Sequence, residues 1–168
     1  MVRRPERYES MDATVSLRAA TAGDIPGMVA IWRESMVLHA ALDPAYRPQA
    51  AGHEAFGAFV AQKIGSADAA LQVAMAGDRV AAYGICVLRR RPELFEPGLH
   101  GLVTDLDVAG AYRRHGLGER ILEALCSWLR ARGVERIEAE MITANAISVG
   151  FWRKQGFVPY YQAMFRAV

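Results

Sequence analysis

"RRHGLGERILEALCSWLRARG", residues 113–133, joins a basic, glycine-containing turn to a run in which Leu117, Ile121, Leu122, Leu125, Trp128 and Leu129 recur at helical spacing. A helix starting at Leu117 and stopping at Gly133 follows, with Arg130 and Arg132 near the negative end of its dipole. The start of this helix carries as much information as its length. A helix N-terminus leaves backbone N–H groups without internal partners and holds a partial positive charge. Gly116 and Gly118 remove side-chain obstruction there, and Arg113, Arg114 and His115 add donors, so the junction suits a phosphate or pyrophosphate. Taken alone, the pattern also suits a plain strand-to-helix turn.

Outward from this turn the chain alternates strands and helices. Upstream, "GLVTDLDVAG" (101–110) reads as the strand that feeds the turn, and "LQVAMAGDRVAAYGICVLRRRP" (71–92) as two strands joined at Gly77-Asp78. "TAGDIPGMVAIWRESMVLHAAL" (21–42) spaces Ile25, Met28, Val29, Ile31, Trp32 and Met36 as a helix behind Asp24 as N-cap, with Pro26 in its first turn. "DPAYRPQAAGH" (43–53) is turn-rich, "EAFGAFVAQKIG" (54–65) is a second helix ending at Gly65, and "VSLRAA" (15–20) is a short first strand. Downstream, "ERIEAEMIT" (135–143) alternates as a strand and "NAISVGFWRKQG" (145–156) is a short helix; "FVPYYQAMFRAV" (157–168) closes the chain as one or two strands. Residues 1–14 are polar and are expected to form a flexible tail, leaving 15–168 as a single domain.

Composition sets the outer bounds. A chain of 168 residues that is 52% hydrophobic can bury one sizeable core. Its net charge of +2 gives no global field for nucleic acid or anionic membrane, so any anion has to be met locally. No apolar stretch reaches the ~20 residues of a membrane span, and the N-terminus lacks a secretory apolar core, so a cytoplasmic location is expected. Cys86 and Cys126 lie apart in apolar segments and read as buried free thiols; no metal site is expected. The G-x-G-x-x-G and Walker templates are both absent, which removes two nucleotide-binding classes.

What "VAGAYRRHGLGERIL" (108–122) resembles is the acyl-CoA signature R/Q-x-x-G-x-G/A of the GNAT superfamily of N-acetyltransferases, met by Arg113, Gly116 and Gly118. "NAISVGFWRKQGF" resembles the same family's last helix and its exit, and the order of elements from Val15 onward agrees. The resemblance implies an α/β (α+β) fold with a central, mostly antiparallel sheet of six to seven strands, about four flanking helices, and a splay between strands 4 and 5. It implies acetyl-CoA as acyl donor, with the pyrophosphate on the backbone amides of Arg114, His115, Gly116, Leu117 and Gly118 and Arg113 as a further cofactor contact. Leu106, Asp107 and Val108 would pair with the pantetheine arm like an added strand, and Asn145, Ser148, Phe151 and Trp152 would line the cleft. A main-chain N–H near Val108 would polarise the thioester carbonyl, where the tetrahedral intermediate needs an oxyanion donor.

Two positions depart from the family pattern. Several relatives carry a glutamate base where this chain has Leu102, and many use a tyrosine acid where it has Trp152. An acceptor amine must lose a proton before it attacks. Asp105 is the first choice of base and Asp107 the second; their spacing places them on one strand face unless a bulge separates them. Tyr160 is a candidate acid for the departing thiolate, with Ser148, Tyr161 and water as alternatives. His39, Asp43, Tyr46 and Asp105 are the candidate acceptor contacts, and Arg89 to Arg91 form either a solvated strand end or an attraction for an acidic acceptor. The function expected is acetyl transfer to a primary amine of a small molecule or peptide in a ternary complex. A non-catalytic acyl-CoA-binding module is the alternative, nucleic-acid and membrane partners are not expected, and homodimerisation is left open.

Overall fold

A computed structural model describes residues 15–166. The expected tail, 1–14, lies outside the described residues. Among these, five strands form one sheet in the order β1 (Ser16–Ala19), β2 (Ala69–Ala76), β3 (Arg79–Arg90), β4 (Leu99–Val108) and β5 (Ile137–Ala139). All neighbours are antiparallel except β4 and β5, which run parallel. Helices α1 (Ile25–Leu42) and α2 (Gly52–Lys63) cover one face, while α3 (Leu117–Arg130) covers the other and α4 (Ala146–Lys154) packs beside it.

The two faces are cored separately. Met28, Ile31, Phe56 and Val60 from α1 and α2 pack on Val73, Tyr83 and Ile85, with Trp32 stacked on Phe56 at 5.2 Å. Ile121, Leu125 and Leu129 from α3 pack on Ala82, Cys86 and Val103. That helix sits close because two strand positions lack side chains: a Cβ on Gly84 would stand 2.4 Å from Ile121 Cγ2, and one on Gly101 would stand 2.5 Å from Leu129 Cδ1. Burial pushes the Cys86 thiol up to about 12, as expected of an inert core cysteine.

The turn at Gly77-Asp78 and the span of α3 follow the sequence pattern, whereas the strand expected over 135–143 is confined to Ile137–Ala139. Two readings need correction. Asp24 stands at the N-terminal boundary of α1 but does not cap it; its carboxylate is gripped by Arg18 at 2.6 and 2.8 Å and by the Thr21 amide and hydroxyl at 2.7 and 2.8 Å. A forked guanidinium contact outcompetes a single first-turn amide. The final one or two strands are not formed: the described part of 157–166 pairs with no strand, so the sheet has five strands rather than six or seven. Pro159 has no N–H to give to a ladder, and β5 offers only three residues of edge.

Candidate active site

The pairing of β4 with β5 is short. It runs from Gly101 opposite Ile137 to Val103 opposite Ala139 and then ends, so Thr104 to Val108 have no strand partner on that side. This is the predicted splay. On its other side β4 stays paired with β3 to Val108, interrupted by one bulge: Ile85 opposes Asp105 and Cys86 opposes Val103, leaving Thr104 as the extra residue. Because the bulge precedes Asp105, the alternation from 105 to 108 is undisturbed. Leu106 and Val108 turn to the α3 core, while Asp105 and Asp107 share the α1 face.

These two carboxylates differ in their surroundings. Asp107 accepts from Ser35 Oγ at 2.8 Å through Oδ1 and from the Tyr83 hydroxyl at 2.9 Å through Oδ2. Burial raises its pKa, and the Ser35 and Tyr83 hydrogen bonds oppose the rise. Burial likewise pushes the Asp105 carboxyl up to about 6, with a smaller contribution from the neighbouring charge of Asp107. The Tyr83 phenol, enclosed by the core and facing both carboxylates, is held well above its ordinary value. Asp107 is thus a carboxyl anchored by two hydroxyl donors, and Asp105 is a carboxyl pushed by burial towards the pH range in which a base can work.

At the end of β4 the chain makes a 3-10 turn, Gly110–Tyr112, and enters the basic turn at 113. Arg114 and Gly116 both adopt left-handed backbone, at φ 67° and 73°, and Gly116 stands at the N-cap of α3 with open space around its Cα. Among the described residues no protein acceptor takes the amides of Arg114, His115, Gly116, Leu117 or Gly118. Alternating left-handed residues before a helix turn successive N–H groups into one concavity, which is the geometry of an anion nest.

Arg113 is placed otherwise than expected. Its Nε donates to the Val108 carbonyl at 3.0 Å and its guanidinium pairs with Glu34 at 2.9 Å, while Glu34 also accepts the Gly110 amide at 3.0 Å. Its side chain braces α1 against the end of β4 instead of adding a donor to the nest. His115 Nδ1 lies 3.4 Å from the Tyr112 carbonyl, on the exposed side of the turn.

Gly118 is where three elements meet. A Cβ there would stand 3.2 Å from Phe151 of α4 and 3.3 Å from Leu106 of β4. Asn145 caps α4, its Oδ1 accepting the Ser148 amide at 3.1 Å. Trp152 is 7% exposed and wedged edge-on between Phe151 and Phe157, at 5.1 and 4.7 Å, so it is a core residue with little surface for a ligand. On the opposite side of β4, His39 near the end of α1 faces Tyr46 edge-on at 6.3 Å and adds favourable charge to Asp107. Asp43 spends its carboxylate on the Ala45 amide at 2.9 Å and so shapes the turn after α1.

Tyr160 lies away from the splay. Its hydroxyl is hydrogen-bonded to Glu138, which is level with Leu102 at the paired end of β4 and β5, and this bond raises the phenol pKa. Held there, it does not stand as a proton donor at the Val108 end. The sequence reading missed Ser35, Tyr83 and Glu34; Ser35 was legible in principle, as a hydroxyl in the buried stripe of α1. No cluster of metal-binding side chains and no helix long and apolar enough to cross a membrane occurs among the described residues.

The sequence matches the Acetyltransferase (GNAT) family over residues 37–157. No curated protein matches it. Among solved structures, a mutant of the BH1408 protein from Bacillus halodurans superimposes with a TM-score of 0.81 at 19% identity, covering 91% of this chain and 99% of that one. A predicted acetyltransferase from Clostridium acetobutylicum, solved with acetyl-CoA, gives 0.72 at 15% identity over 92% and 96%. An aminoglycoside 6'-N-acetyltransferase from Acinetobacter haemolyticus gives 0.71 at 13% identity over 91% and 97%.

Proposed function

The chain belongs to the GNAT acetyltransferase family, and from that premise we propose that residues 15–168 form one domain that transfers the acetyl group of acetyl-CoA directly to a primary amine in a ternary complex. One juxtaposition carries the reading. The unpartnered end of β4 lies beside a turn whose five amides have no protein acceptor among the described residues, and a carboxyl that burial pushes up to about 6 stands on the α1 face of the same strand.

In this reading the amides of Arg114 to Gly118 hold the pyrophosphate, Gly116 keeping the approach open. The free edge of Thr104 to Val108 takes the pantetheine as an additional strand, and the backbone near Val108 supplies the oxyanion donor. Acetyl-CoA contributes an activated thioester. Asp105 takes one proton from the acceptor ammonium, and the freed nitrogen lone pair adds to the thioester carbonyl to form the C–N bond. As the resulting oxyanion collapses the C–S bond breaks, the second proton of the nitrogen passing through water to the departing thiolate. Asp107, fixed by Ser35 and Tyr83, holds the strand face and adds a smaller contribution to the burial that keeps Asp105 difficult to ionise. Arg113 and Glu34 hold α1 against the strand end.

Thiol release from acetyl-CoA, measured across polyamines, amino acids, aminoglycosides and peptides, tests the proposal. Release with one amine class is expected. Tight acetyl-CoA binding with no release from any amine would favour an acyl-CoA-binding module, which the absence of a carboxylate base at Leu102 and of a phenol at the buried Trp152 would then explain.

A further inference from the structure

Strands β3 and β4 and the residue that leads into β5 bring basic side chains into one row beyond the core. Arg89 of β3 is opposite His100 of β4, and the Gly101 amide donates to the Arg136 carbonyl at 2.8 Å at the entrance to β5. Strand alternation puts Arg89, His100 and Arg136 on the same face as Val87, Leu102 and Glu138, which is the face of Asp105.

Glu138 organises this cluster. Its Oε1 accepts from Arg136 Nε at 2.5 Å, its Oε2 accepts from the Tyr160 hydroxyl, and His100 Nε2 is 3.7 Å away. The Arg136 guanidinium also lies over the Tyr160 ring at 4.5 Å. Burial pushes the Glu138 carboxyl up, but its hydrogen bonds from Tyr160 and Arg136 outweigh that and hold it below its ordinary value. Both of its oxygens are committed. The unspent capacity of the cluster is all on donors and cations: Arg136 remains 44% exposed, Arg89 is exposed, and His100 Nδ1 has no hydrogen-bond partner. A cation entering here finds no free carboxylate, whereas a carboxylate finds a forked guanidinium.

We propose that Arg136, with Arg89 and His100, binds a carboxylate of the acceptor, so that the amine acceptor is a short peptide or an amino acid whose amine and carboxylate are well separated. The proposal rests on the transferase reading for where the amine must go. The His100 and Asp105 rows are four β3 residues apart, from Arg89 to Ile85. At about 3.3 Å per residue that is about 13 Å, shortened by the reach of the Arg136 side chain. An extended tripeptide separates its amine from its carboxylate by about 10 Å. An α-amino acid, with both groups on one carbon, does not bridge the gap.

The test is calorimetric titration of the CoA-saturated protein with triglycine and with triglycine amide, which share one amine and differ in the carboxylate. Triglycine should bind at least tenfold more tightly, Arg136→Gln should erase that preference, and Arg136→Lys should restore part of it. Equal affinity for the two peptides, undetectable binding of triglycine, or a preference that survives in Arg136→Gln would overturn the proposal. Thiol release from acetyl-CoA recorded on the same samples judges the transferase reading separately, because the binding comparison needs no turnover.

Discussion

Replacing Asp105 by asparagine separates what the carboxylate does for the reaction from what it costs the fold. Burial holds the carboxyl at about 6, against an ordinary value of 3.8. Each tenfold difference in proton affinity between folded and unfolded chain is worth about 1.4 kcal/mol, so the ionised carboxylate costs about 3 kcal/mol above pH 6. The folded chain binds this proton more tightly than the unfolded chain does. Stability attributable to Asp105 therefore falls as the pH rises from about 4 to 6, and the cost is absent where the group is protonated in both states. Asp105→Asn should be more stable than the parent by up to about 3 kcal/mol at pH 7.5, roughly 6–12 °C for a chain of this size, with the advantage vanishing near pH 4. Its thiol release should fall by about 100-fold or more, and the acid limb of the rate profile near pH 6 should disappear. Unfolding curves at pH 4.5, 6 and 7.5, beside initial rates from pH 5 to 9, read both effects. Equal stability at every pH together with an intact acid limb would refute the assignment of Asp105 as a buried, ionising base.

Two further substitutions examine its surroundings. Tyr83→Phe removes the donor to Asp107 Oδ2 and strands a half-buried carboxylate oxygen, so stability should fall by about 1–3 kcal/mol at pH 8 and by less at pH 5, where the raised Asp107 is closer to neutral; chemical denaturation at the two pH values measures this. Trp152→Tyr puts a phenol where many relatives have one, but the side chain points into packed aromatics. It should cost about 1–3 kcal/mol in unfolding experiments and give no gain in thiol release.

The parts of this molecule that were legible in its sequence are those set by local periodicity. Helix α3 shows its buried stripe in Leu117, Ile121, Leu125 and Leu129, and the hairpin shows itself in Gly77-Asp78 between apolar runs. The left-handed turn into α3 was legible because backbone geometry near Gly116 depends on local residues. What escaped depends on pairings across long sequence separations. The contact of Ser35 with Asp107 spans 72 residues and that of Arg113 with Glu34 spans 79, and neither position announces its partner. The same holds for Arg113 itself, an expected phosphate contact that serves as a brace. The last strands were read from the apolar residues of 157–168. Val158, Tyr161, Met164 and Phe165 remain exposed, because alternation marks a segment able to pair and not one that finds an edge.

The central claim is that the turn from Arg114 to Gly118 holds the CoA pyrophosphate. Gly116→Glu tests it most directly, since a Cβ at this position meets nothing within 4 Å and the left-handed backbone costs a non-glycine residue only about 1–2 kcal/mol. The variant should therefore fold while placing a carboxylate in the anion site. Titration of acetyl-CoA into both proteins by calorimetry should show saturable binding to the parent and none to the folded variant. Equal affinity for the two, or no binding to the parent, would contradict the account.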